Sequence, residues 1–429
     1  MAELGNNKRT AARTRKMRAR NSRILRGAIG IVLLCVAFAL GFAVRDHPGF
    51  LQAMGFPSSI TGLAPGSTTD PNAEKEANNS LTTRLKEAVD AIEADSLDTY
   101  DLEEATQGVV SAFADSTHDP YTRYYTNDRY QALLNSQDEG YAGIGVLFSE
   151  HNGIAYAVDV FEGSEAQMAG VQEGDYVVAV GGDSSQGWSR SEVAAVLSQN
   201  EGSTVVITWR RPESLEADGG EQFTTTLTCR EYDETNVTTE YSQDRHVGYI
   251  KVRQFTQNAS SLVQTAIGEL VSQGAGAFVL DLRDNPGGYL SQAVNLASLF
   301  MSSGTVVEVR TVDGVIAKPA TGQAATAAPL VVIVNKNTAA AAEVVAAALK
   351  ESQRATLVGT TTLGKGSVQV LRELSYGGAL RYTAAYYLTP EGHDIDGVGV
   401  TPAVLIEESQ EGDAQKDYAM EFATSLVQQ

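Results

Sequence analysis

Cysteine and histidine are scarce in this chain. Its 429 residues contain two cysteines, Cys35 and Cys229, and five histidines. Cys35 lies inside an apolar run near the N-terminus, so Cys229 has no partner for a disulfide or for a cysteine-based metal site in the rest of the chain. The histidines show no H-E-x-x-H or H-x-x-E-H spacing. The sequence therefore predicts no metal site and no cofactor.

Positive charge is concentrated at the N-terminus. Residues 1–44 carry nine lysines and arginines against the single acid Glu3, whereas the whole chain has a formal net charge of −21. The remainder of the chain therefore carries about −29 by charge counting. Such an acidic body is a poor partner for nucleic acid and is repelled by anionic lipid headgroups.

The longest apolar run, residues 27–44, contains 18 residues without a charge. It is long enough to span the hydrocarbon core of a membrane as a helix. Basic residues precede it, so the positive-inside rule places the N-terminus in the cytoplasm and residues 45–429 outside. A cleaved signal peptide is the alternative, because Ala39 and Gly41 are small enough for cleavage. The long basic segment and the absence of a clear A-x-A site favour a retained anchor.

Composition and periodicity divide the rest of the chain. The stretch after the apolar run is rich in Pro, Gly, Ser and Thr, which is typical of a linker. From Ser80, apolar residues at three- to four-residue spacing predict helices, and after Tyr141 short β-runs take over. The predicted segments are a basic cytoplasmic segment (1–26), a transmembrane anchor (27–44), a linker (45–75), a helical region (76–140), a β-rich domain (141–212), a larger α/β domain (213–407) and a C-terminal tail (408–429).

The β-rich domain combines short strands with a glycine-rich turn. The turn opens the segment Y-A-G-I-G-V-L-F (141–148), and a helix is predicted at 190–199. A strand edge with free backbone N–H groups beside a helix suits capture of the terminal carboxylate of an extended peptide. The residues that we expect to bind the carboxylate are Tyr141, Ala142, Gly143, Ile144, Gly145 and Val146.

Strands and helices alternate from His246 onward. Continuous β-branched runs that are each followed by a helix predict a sheet covered on its faces. The fold class is therefore α/β within a multi-domain α+β chain. Strands are predicted at 248–255, 277–282 and 329–335, and helices at 259–273 and after Gly288.

Position 340 lies at a strand-to-helix corner. The strand V-V-I-V-N ends at Asn335, and an alanine-rich helix is predicted from about Ala339 to Leu349. A side chain at such a corner is exposed at a helix N-terminus, where the helix dipole favours an alkoxide and the following N–H can bind an oxyanion. The surroundings indicate a nucleophile, yet the residue is alanine.

Lys365 lies between two glycines, 25 residues after the corner. The intervening helix and the strand at 355–360 return the chain to its own helix start, so we expect Lys365 to lie against Ala340. A lysine that burial among apolar groups keeps neutral can act as a general base. We expect the amide of Gln369 to hold the amine. A surface turn is the alternative for a lysine between glycines, and its pairing with the corner favours the catalytic interpretation.

A third segment, D-L-R-D-N-P-G-G (281–288), joins a strand to a tight turn. Its two consecutive glycines, Gly287 and Gly288, let the backbone approach a substrate closely and aim N–H groups at a developing negative oxygen. An ordinary turn at the end of a strand is the alternative.

The three segments together resemble the carboxyl-terminal processing peptidases, also called tail-specific proteases, which use a Ser/Lys dyad. The match places the serine of the family at Ala340, its glutamate at Glu343, its lysine at Lys365 and its glutamine at Gln369. Segments 119–126 and 381–402 resemble the entry to the binding domain and the closing region of these enzymes. The resemblance covers about residues 80–407.

The resemblance implies a PDZ domain at 141–212, followed by a peptidase domain of the crotonase/Clp type. The oxyanion donors would be Gly287, Gly288 and the N–H of Ala341. Protein substrates would be recognised by their C-terminal tails and cut near that end, with no cofactor and no nucleic acid partner. Together with the predicted anchor, this describes a single-pass protein of a bacterial cell membrane, and a homo-oligomer is compatible with it.

The alanine at position 340 departs from the family pattern. A methyl group cannot attack a carbonyl, so the chain should lack dyad catalysis. Thr338 and Ser367 carry nearby hydroxyls, but neither is in register with the expected oxyanion hole. One interpretation is a recent or engineered loss of the serine, which the survival of Lys365 and Gln369 favours. The other is a natural pseudopeptidase that binds protein tails as a scaffold or regulator.

Overall fold

The computed structural model describes residues 71–135, 143–199, 202–230, 232, 235–322, 324–409 and 412–427. The chain divides into two compact units, residues 1–91 and 92–429. The predicted membrane anchor at 27–44 and most of the predicted linker lie outside the described residues. Within the described ranges, no helix is both long enough and apolar enough to cross a membrane.

The region predicted to be helical contains three helices and one strand. The helices are α1 (Pro71–Asp95), α2 (Leu102–Asp115) and α3 (Asn127–Asn135). The Asp101 carboxylate starts α2 by accepting the Glu104 N–H at 2.9 Å, which satisfies one of the free donors of its first turn. Strand β1 (Arg123–Tyr125) was not predicted, and it pairs with a late strand, β15 (Ala379–Leu388).

A five-stranded antiparallel sheet follows, in the order β2-β3-β4-β5-β6. Trp209 and Ile207 are fully buried in its core. Strand β6 pairs with β5 along its whole length, and Arg230 then exchanges two backbone hydrogen bonds with Gly143, so the domain continues beyond the predicted boundary at 212. Its elements are β2 (Val146–His151), β3 (Ile154–Val160), α4 (Glu165–Met168), β4 (Tyr176–Val180), α5 (Arg190–Gln199), β5 (Thr204–Arg211) and β6 (Glu221–Thr228).

The central sheet of the larger domain has six strands in the order β16-β13-β12-β9-β8-β7. All neighbours are parallel except β7, which pairs antiparallel with β8. Every residue of β9 and β12 is buried, as expected of strands covered on both faces. The elements are β7 (Val237–Ser242), β8 (Val247–Val252), α6 (Ala259–Gln273), β9 (Ala277–Asp281), α7 (Leu290–Ser298), β12 (Leu330–Val334), α8 (Ala341–Glu351), β13 (Thr356–Gly359) and β16 (Val404–Leu405).

The C-terminal segment is part of the fold, whereas the sequence predicted a tail. Residues Ala414–Val427 form helix α9. Ala419, Met420 and Ala423 are buried in one cluster with Val247 and Ala277 of the central sheet. The helix therefore covers one face of that sheet, because the apolar strands beneath it would otherwise be exposed to water.

A third sheet carries the strand that follows the predicted lysine. It is built around β15, which pairs antiparallel with β14, β10 and β1. The remaining strands are β10 (Thr305–Thr311), β11 (Gly314–Pro319) and β14 (Ser367–Glu373). Strand β1, which the helical region contributes, thus belongs to the same sheet as β14, and β14 begins two residues after Lys365.

Candidate active site

Position 340 occupies a strained corner between β12 and α8. Ala340 has φ 51° and ψ −115°, and α8 begins at the next residue. A left-handed φ is rare for a residue with a side chain, and such strain costs about 1–3 kcal/mol and is concentrated at functional sites. The corner has the backbone shape expected of an exposed nucleophile, but it presents a methyl group.

The glycine turn predicted to bind an oxyanion lies directly against this corner. A Cβ added to Gly287 would stand 2.9 Å from the Ala340 Cβ and 3.0 Å from the Ala341 nitrogen, so only glycine allows this approach. The Gly287 N–H is already used, because it donates to the Asn285 Oδ1 at 2.9 Å. In the described part of the chain, the N–H groups of Gly288 and Ala341 donate no hydrogen bond. These two remain free to act as predicted.

A buried carboxylate joins the corner to the lysine turn. Glu343 is fully buried and accepts four hydrogen bonds, from the backbone N–H groups of Ala340, Gly364 and Lys365 at 2.7–2.8 Å and from the Thr362 hydroxyl at 2.5 Å. Burial raises the pKa of Glu343 to about 7, although the four donors favour the charged form. This residue holds the backbone of Lys365 beside the start of α8.

The Lys365 side chain has a partner that the sequence did not reveal. Its Nζ lies 3.6 Å from the Glu150 Oε1 on β2 and 5.0 Å from the centre of the Tyr121 ring. Glu150 is buried and also accepts a 2.7 Å hydrogen bond from Arg381. The amine is buried, but one of its neighbours is a carboxylate from the five-stranded domain, whereas the sequence predicted apolar neighbours.

The pKa values of this cluster follow from burial and charge together. Burial lowers the pKa of Lys365, and the charges of Arg381 and Arg190 act in the same direction, whereas Glu150 opposes them. Burial alone would raise the pKa of Glu150, but the positive charges of Lys365 and Arg381 outweigh it and lower that pKa to about 2. Glu150 is therefore charged at neutral pH.

Gln369 does not hold the lysine amine in this structure. Its Nε2 donates to the Thr383 Oγ1 at 3.3 Å. The two residues stand opposite each other where β14 pairs with β15. The side chain therefore faces its cross-strand neighbour, as expected for paired residues in a sheet.

Thr338 and Ser367 carry the two hydroxyls that were considered as substitutes for the serine. The Thr338 Oγ1 donates to the Leu282 carbonyl at 2.9 Å and accepts the Asn335 N–H at 3.0 Å, which fixes the turn before the corner. Ser367 is buried at the start of β14 and pairs with Tyr386. Neither residue occupies the corner itself.

The segment 119–126 connects the domains around this site. The Arg123 guanidinium donates to the carbonyls of Gly153 and Gly187 in the five-stranded domain, each at 2.7 Å. Two residues earlier, the Tyr121 ring packs beside the Lys365 ammonium. The segment was recognisable from the sequence by resemblance, but these contacts were not predicted, nor were the roles of Glu150 and Arg381. One local signal existed, namely an acid, Glu150, in a strand that begins with the apolar residues V-L-F.

The predicted carboxylate-binding turn is described in part. Tyr141 and Ala142 lie outside the described residues. A Cβ on Gly145 would stand 2.2 Å from the Ser164 Cβ, so this position needs glycine. The turn leads into Val146, the first residue of β2, which is an edge strand. Gly143 and Ile144 start the same turn, and a Cβ on Gly143 would stand 3.3 Å from Leu197 on α5.

Metal-binding side chains are not gathered around this site. Among the described residues, one group could share an ion, and it consists of Glu351, Glu391 and His393. Glu351 is the last residue of α8, so the group lies at the opposite end of the helix from Ala340.

Comparison with known proteins accounts for this arrangement. The sequence profile of peptidase family S41 matches residues 246–406, and that of the PDZ domain matches residues 157–211. A carboxyl-terminal-processing protease from Picosynechococcus sp. is 33% identical over 325 residues, which cover 72% of this chain and 76% of that protein. The chain belongs to the carboxyl-terminal processing proteases.

Two further proteins of this family are similar to the chain. The carboxy-terminal processing protease CtpA of Bacillus subtilis is 31% identical over 354 residues, covering 82% of this chain and 72% of the relative. The solved structure of a photosystem II D1 C-terminal processing protease shares the fold with a TM-score of 0.61 and 29% identity, covering 76% of this chain and 86% of that one. The resemblance to a family of serine-type peptidases with a PDZ domain is thus confirmed. The roles of the individual site residues remain predictions.

Proposed function

We propose that this chain is a membrane-anchored member of the family that recognises protein substrates by their C-terminal tails, and that Ala340 leaves it without hydrolytic activity. The observation that carries the proposal is the corner at position 340. Its strained backbone, the adjacent glycine turn and two free N–H groups are those of an acyl-transfer site. The corner itself lacks the attacking oxygen.

The residues around the corner fit the Ser/Lys dyad of the family. A serine at 340 would place its Oγ at the N-terminus of α8, with the N–H groups of Gly288 and Ala341 available to the oxyanion. Lys365 would take the serine proton as general base. Burial lowers its pKa in the direction that this role requires. In the observed arrangement the ammonium pairs with Glu150, so catalysis would require the amine to leave that carboxylate.

Tail recognition is proposed for the PDZ domain. Strand β2 is an edge strand, so a peptide can extend the sheet along its free side with its carboxylate at the turn that includes Gly143 and Gly145. The full chain should bind an apolar tail peptide with a free carboxylate more tightly than the same peptide with a C-terminal amide. Equal affinity for the two peptides would contradict tail recognition.

The membrane anchor is proposed from the apolar run at 27–44 and the basic residues before it. The full chain should stay with the membrane after alkaline extraction, and a protease added from outside should cleave it after position 44. Release of the chain by alkaline extraction, or a mature N-terminus near Ala39 or Gly41, would indicate a cleaved signal peptide instead. A homo-oligomer remains compatible with this proposal.

The proposal of a silenced dyad is tested by restoring the hydroxyl. The measurement is the rate at which the full chain degrades an unstructured protein with an apolar C-terminus, with Ala340 and with Ala340→Ser. Serine should create activity, and Lys365→Ala in that background should reduce it by about 10²–10⁴-fold, the usual contribution of a general base. Lys336→Ala is the matched control, because this lysine is exposed. A serine variant that stays inactive would contradict the proposal.

A second candidate function is a tail-binding scaffold. It is favoured by the combination of a methyl group at Ala340 with an otherwise ordered PDZ edge strand and turn. If Ala340→Ser stays inactive while tail peptides still bind through their carboxylates, the scaffold becomes the better description. The two functions are therefore separated by the same pair of experiments.

A further inference from the structure

The two glycines of the turn at 287–288 differ in how their N–H groups are used. The Gly287 N–H donates to the Asn285 Oδ1 at 2.9 Å, and Gly287 is buried. In the described part of the chain the Gly288 N–H donates no hydrogen bond, and Gly288 is exposed. Of the two predicted donors in this turn, one is therefore already bound to an asparagine.

Asn285 connects the glycine turn to two other segments of the site. The residue is fully buried. Its Nδ2 donates to the Val252 carbonyl at the end of β8, at 2.9 Å. Its own carbonyl accepts the N–H of Ala339, the residue before the corner, also at 2.9 Å. Asn285 thus ties together β8, the glycine turn and the corner.

The bond from Gly287 to Asn285 closes an Asx turn, in which an asparagine accepts the N–H two residues further on. Pro286 lies between the two residues. Proline has no N–H and its ring fixes φ, so it excludes most other conformations of the turn. Because Asn285 is also bound to Val252 and Ala339, the turn has a defined position relative to the corner.

The backbone of Phe255 fixes the direction of the Gly288 N–H. The Phe255 N–H donates to the Gly287 carbonyl at 2.9 Å. That carbonyl and the Gly288 N–H belong to one peptide group, which is trans. The C=O and N–H of a planar trans peptide point in opposite directions. The Gly288 N–H therefore points away from Phe255, and it stays free.

We propose that Asn285 is a positioning residue for the oxyanion site, since it occupies the Gly287 N–H and ties the turn to the corner. The donors available to a tetrahedral intermediate are then the N–H groups of Gly288 and Ala341, and Gly287 is not one of them. Donors that are fixed before the reaction need no reorganisation when the negative charge develops. Asn285 is buried, so it acts through Gly288 and does not touch the substrate. The inference rests on the function proposed above, because the oxyanion belongs to that acyl-transfer reaction.

The first test measures binding of a tetrahedral anion by the full chain with Ala340. The probes are apolar tail peptides in which a phosphinate replaces each of the last few peptide bonds in turn, and each is compared with the unmodified peptide by calorimetry. Mimics of a transition state bind about 10²–10⁸-fold more tightly than substrates. We therefore expect the native chain to bind one phosphinate peptide at least tenfold more tightly than the unmodified peptide.

Substitution of Asn285 should reduce this preference and leave the affinity for the unmodified peptide unchanged. Asn285→Ala should lower the preference at least tenfold. Asn285→Ser should keep part of it, because a serine hydroxyl closes the same kind of turn more weakly. Ser298→Ala is the control, since this buried hydroxyl also donates to a carbonyl, that of Val294, and accepts a backbone N–H, that of Thr321. The control should keep the full preference.

The second test is hydrogen exchange of the native chain, resolved to single residues. The Gly287 amide should exchange slowly and the Gly288 amide fast, because only the first is hydrogen-bonded. The preferred phosphinate peptide should slow exchange at Gly288 and leave Gly287 unchanged. Fast exchange at Gly287, or protection of Gly287 by the phosphinate, would overturn the inference.

The outcomes separate this inference from the function on which it rests. If Asn285→Ala kept the full preference, or lost affinity for both peptides equally, Asn285 would be no positioning residue, and the proposed function would stand. If the native chain preferred no phosphinate, the oxyanion site of the proposed function would be contradicted, and the inference would fall with it. If Asn285→Ala did not fold, Asn285→Ser and the exchange rates would decide by the same criteria.

Discussion

Two buried glutamates contact Lys365, and their pKa values are shifted in opposite directions. Glu150, from the PDZ domain, is 4% exposed, and Glu343, from the peptidase domain, is 0% exposed. The partners of Glu150 include the charged groups of Lys365 and Arg381, and its pKa falls to about 2. The partners of Glu343 are four neutral donors, and its pKa rises to about 7. Burial alone therefore does not decide the charge of a carboxylate; the charge of its partners does.

The comparison also shows how Lys365 is held. The peptidase domain fixes its backbone through Glu343, whereas the PDZ domain fixes its ammonium through Glu150. Because Glu150 lies on β2, the edge strand for which we propose tail binding, that strand contacts the lysine.

The largest effect is expected for Glu150→Gln. Loss of this charge leaves the Lys365 ammonium and the Arg381 guanidinium buried without their carboxylate, which typically costs about 3–5 kcal/mol. Urea unfolding of the full chain measures the loss in the free energy of unfolding. The control is Glu216→Gln, since Glu216 is an exposed acid paired with His151 in the same domain. Equal stability of the two variants would show that the buried pair contributes nothing.

A smaller loss, about 2–4 kcal/mol, is expected for Glu343→Gln. Each carboxylate oxygen accepts two hydrogen bonds, so the amide NH₂ of glutamine must face two donors in either orientation. Each buried donor left without an acceptor costs about 1–3 kcal/mol. Urea unfolding again gives the value, with the exposed Glu421→Gln as control. A loss no larger than that of the control would argue against Glu343 as the link between corner and lysine turn.

The pH dependence of stability should separate the two carboxylates by sign. The ordinary pKa of glutamate is near 4.5, and the pKa of Glu150 is lower than this. The contribution of the charged Glu150 to the free energy of unfolding is present above pH 4.5 and is lost as the pH falls toward 2. The pKa of Glu343 lies above 4.5, so its charge destabilises the fold as the pH rises from 4.5 to 7. Each change should be on the order of 3 kcal/mol, since each pKa lies about 2.5 away from 4.5 and a difference of 1 in pKa corresponds to about 1.4 kcal/mol.

Unfolding free energies of the native chain and both glutamine variants at several pH values measure these changes. Acidification from pH 7 to 4.5 should stabilise the native chain relative to Glu343→Gln. Further acidification should reduce its advantage over Glu150→Gln. If stability relative to the native chain changed with pH in the same direction for both variants, the opposite pKa shifts assigned to Glu150 and Glu343 would be wrong.

The sequence predicted local features of this arrangement better than its long-range contacts. Helices 190–199 and 259–273 have the predicted bounds, because an amphipathic period and flanking turn residues are encoded locally. The corner at Ala340 was placed correctly for the same reason. Glu150 was missed because its partners Lys365 and Arg381 lie more than 200 residues further along the chain, and an acid in a strand pattern indicates a solvated face.

Other differences arise from tertiary packing. The segment after 408 has few large apolar residues and was predicted to be a tail, yet Ala419 and Ala423 pack against the central sheet. Alanines contribute little to the hydrophobic periodicity that predicts a helix, but their small side chains let a helix lie close to a sheet. Strand β1 was missed because it is three residues long and its partner, β15, begins at Ala379. A short strand of this kind is specified by its neighbour and not by its own sequence.

The smallest effect is expected for an ion pair at the surface. The Lys416 Nζ lies 2.7 Å from the Glu240 Oε2, a shorter distance than that between Lys365 and Glu150, but the carboxylate is 58% exposed. Exposed pairs contribute about 0–1 kcal/mol and are screened by salt. Glu240→Gln should therefore cost less than about 1 kcal/mol in dilute buffer and nothing measurable in about 1 M salt. The loss caused by Glu150→Gln should persist in that salt, because solvent ions do not reach a buried pair. A salt dependence that is the same for both variants would mean that Glu150 is accessible to solvent, which would contradict a buried contact between β2 and Lys365.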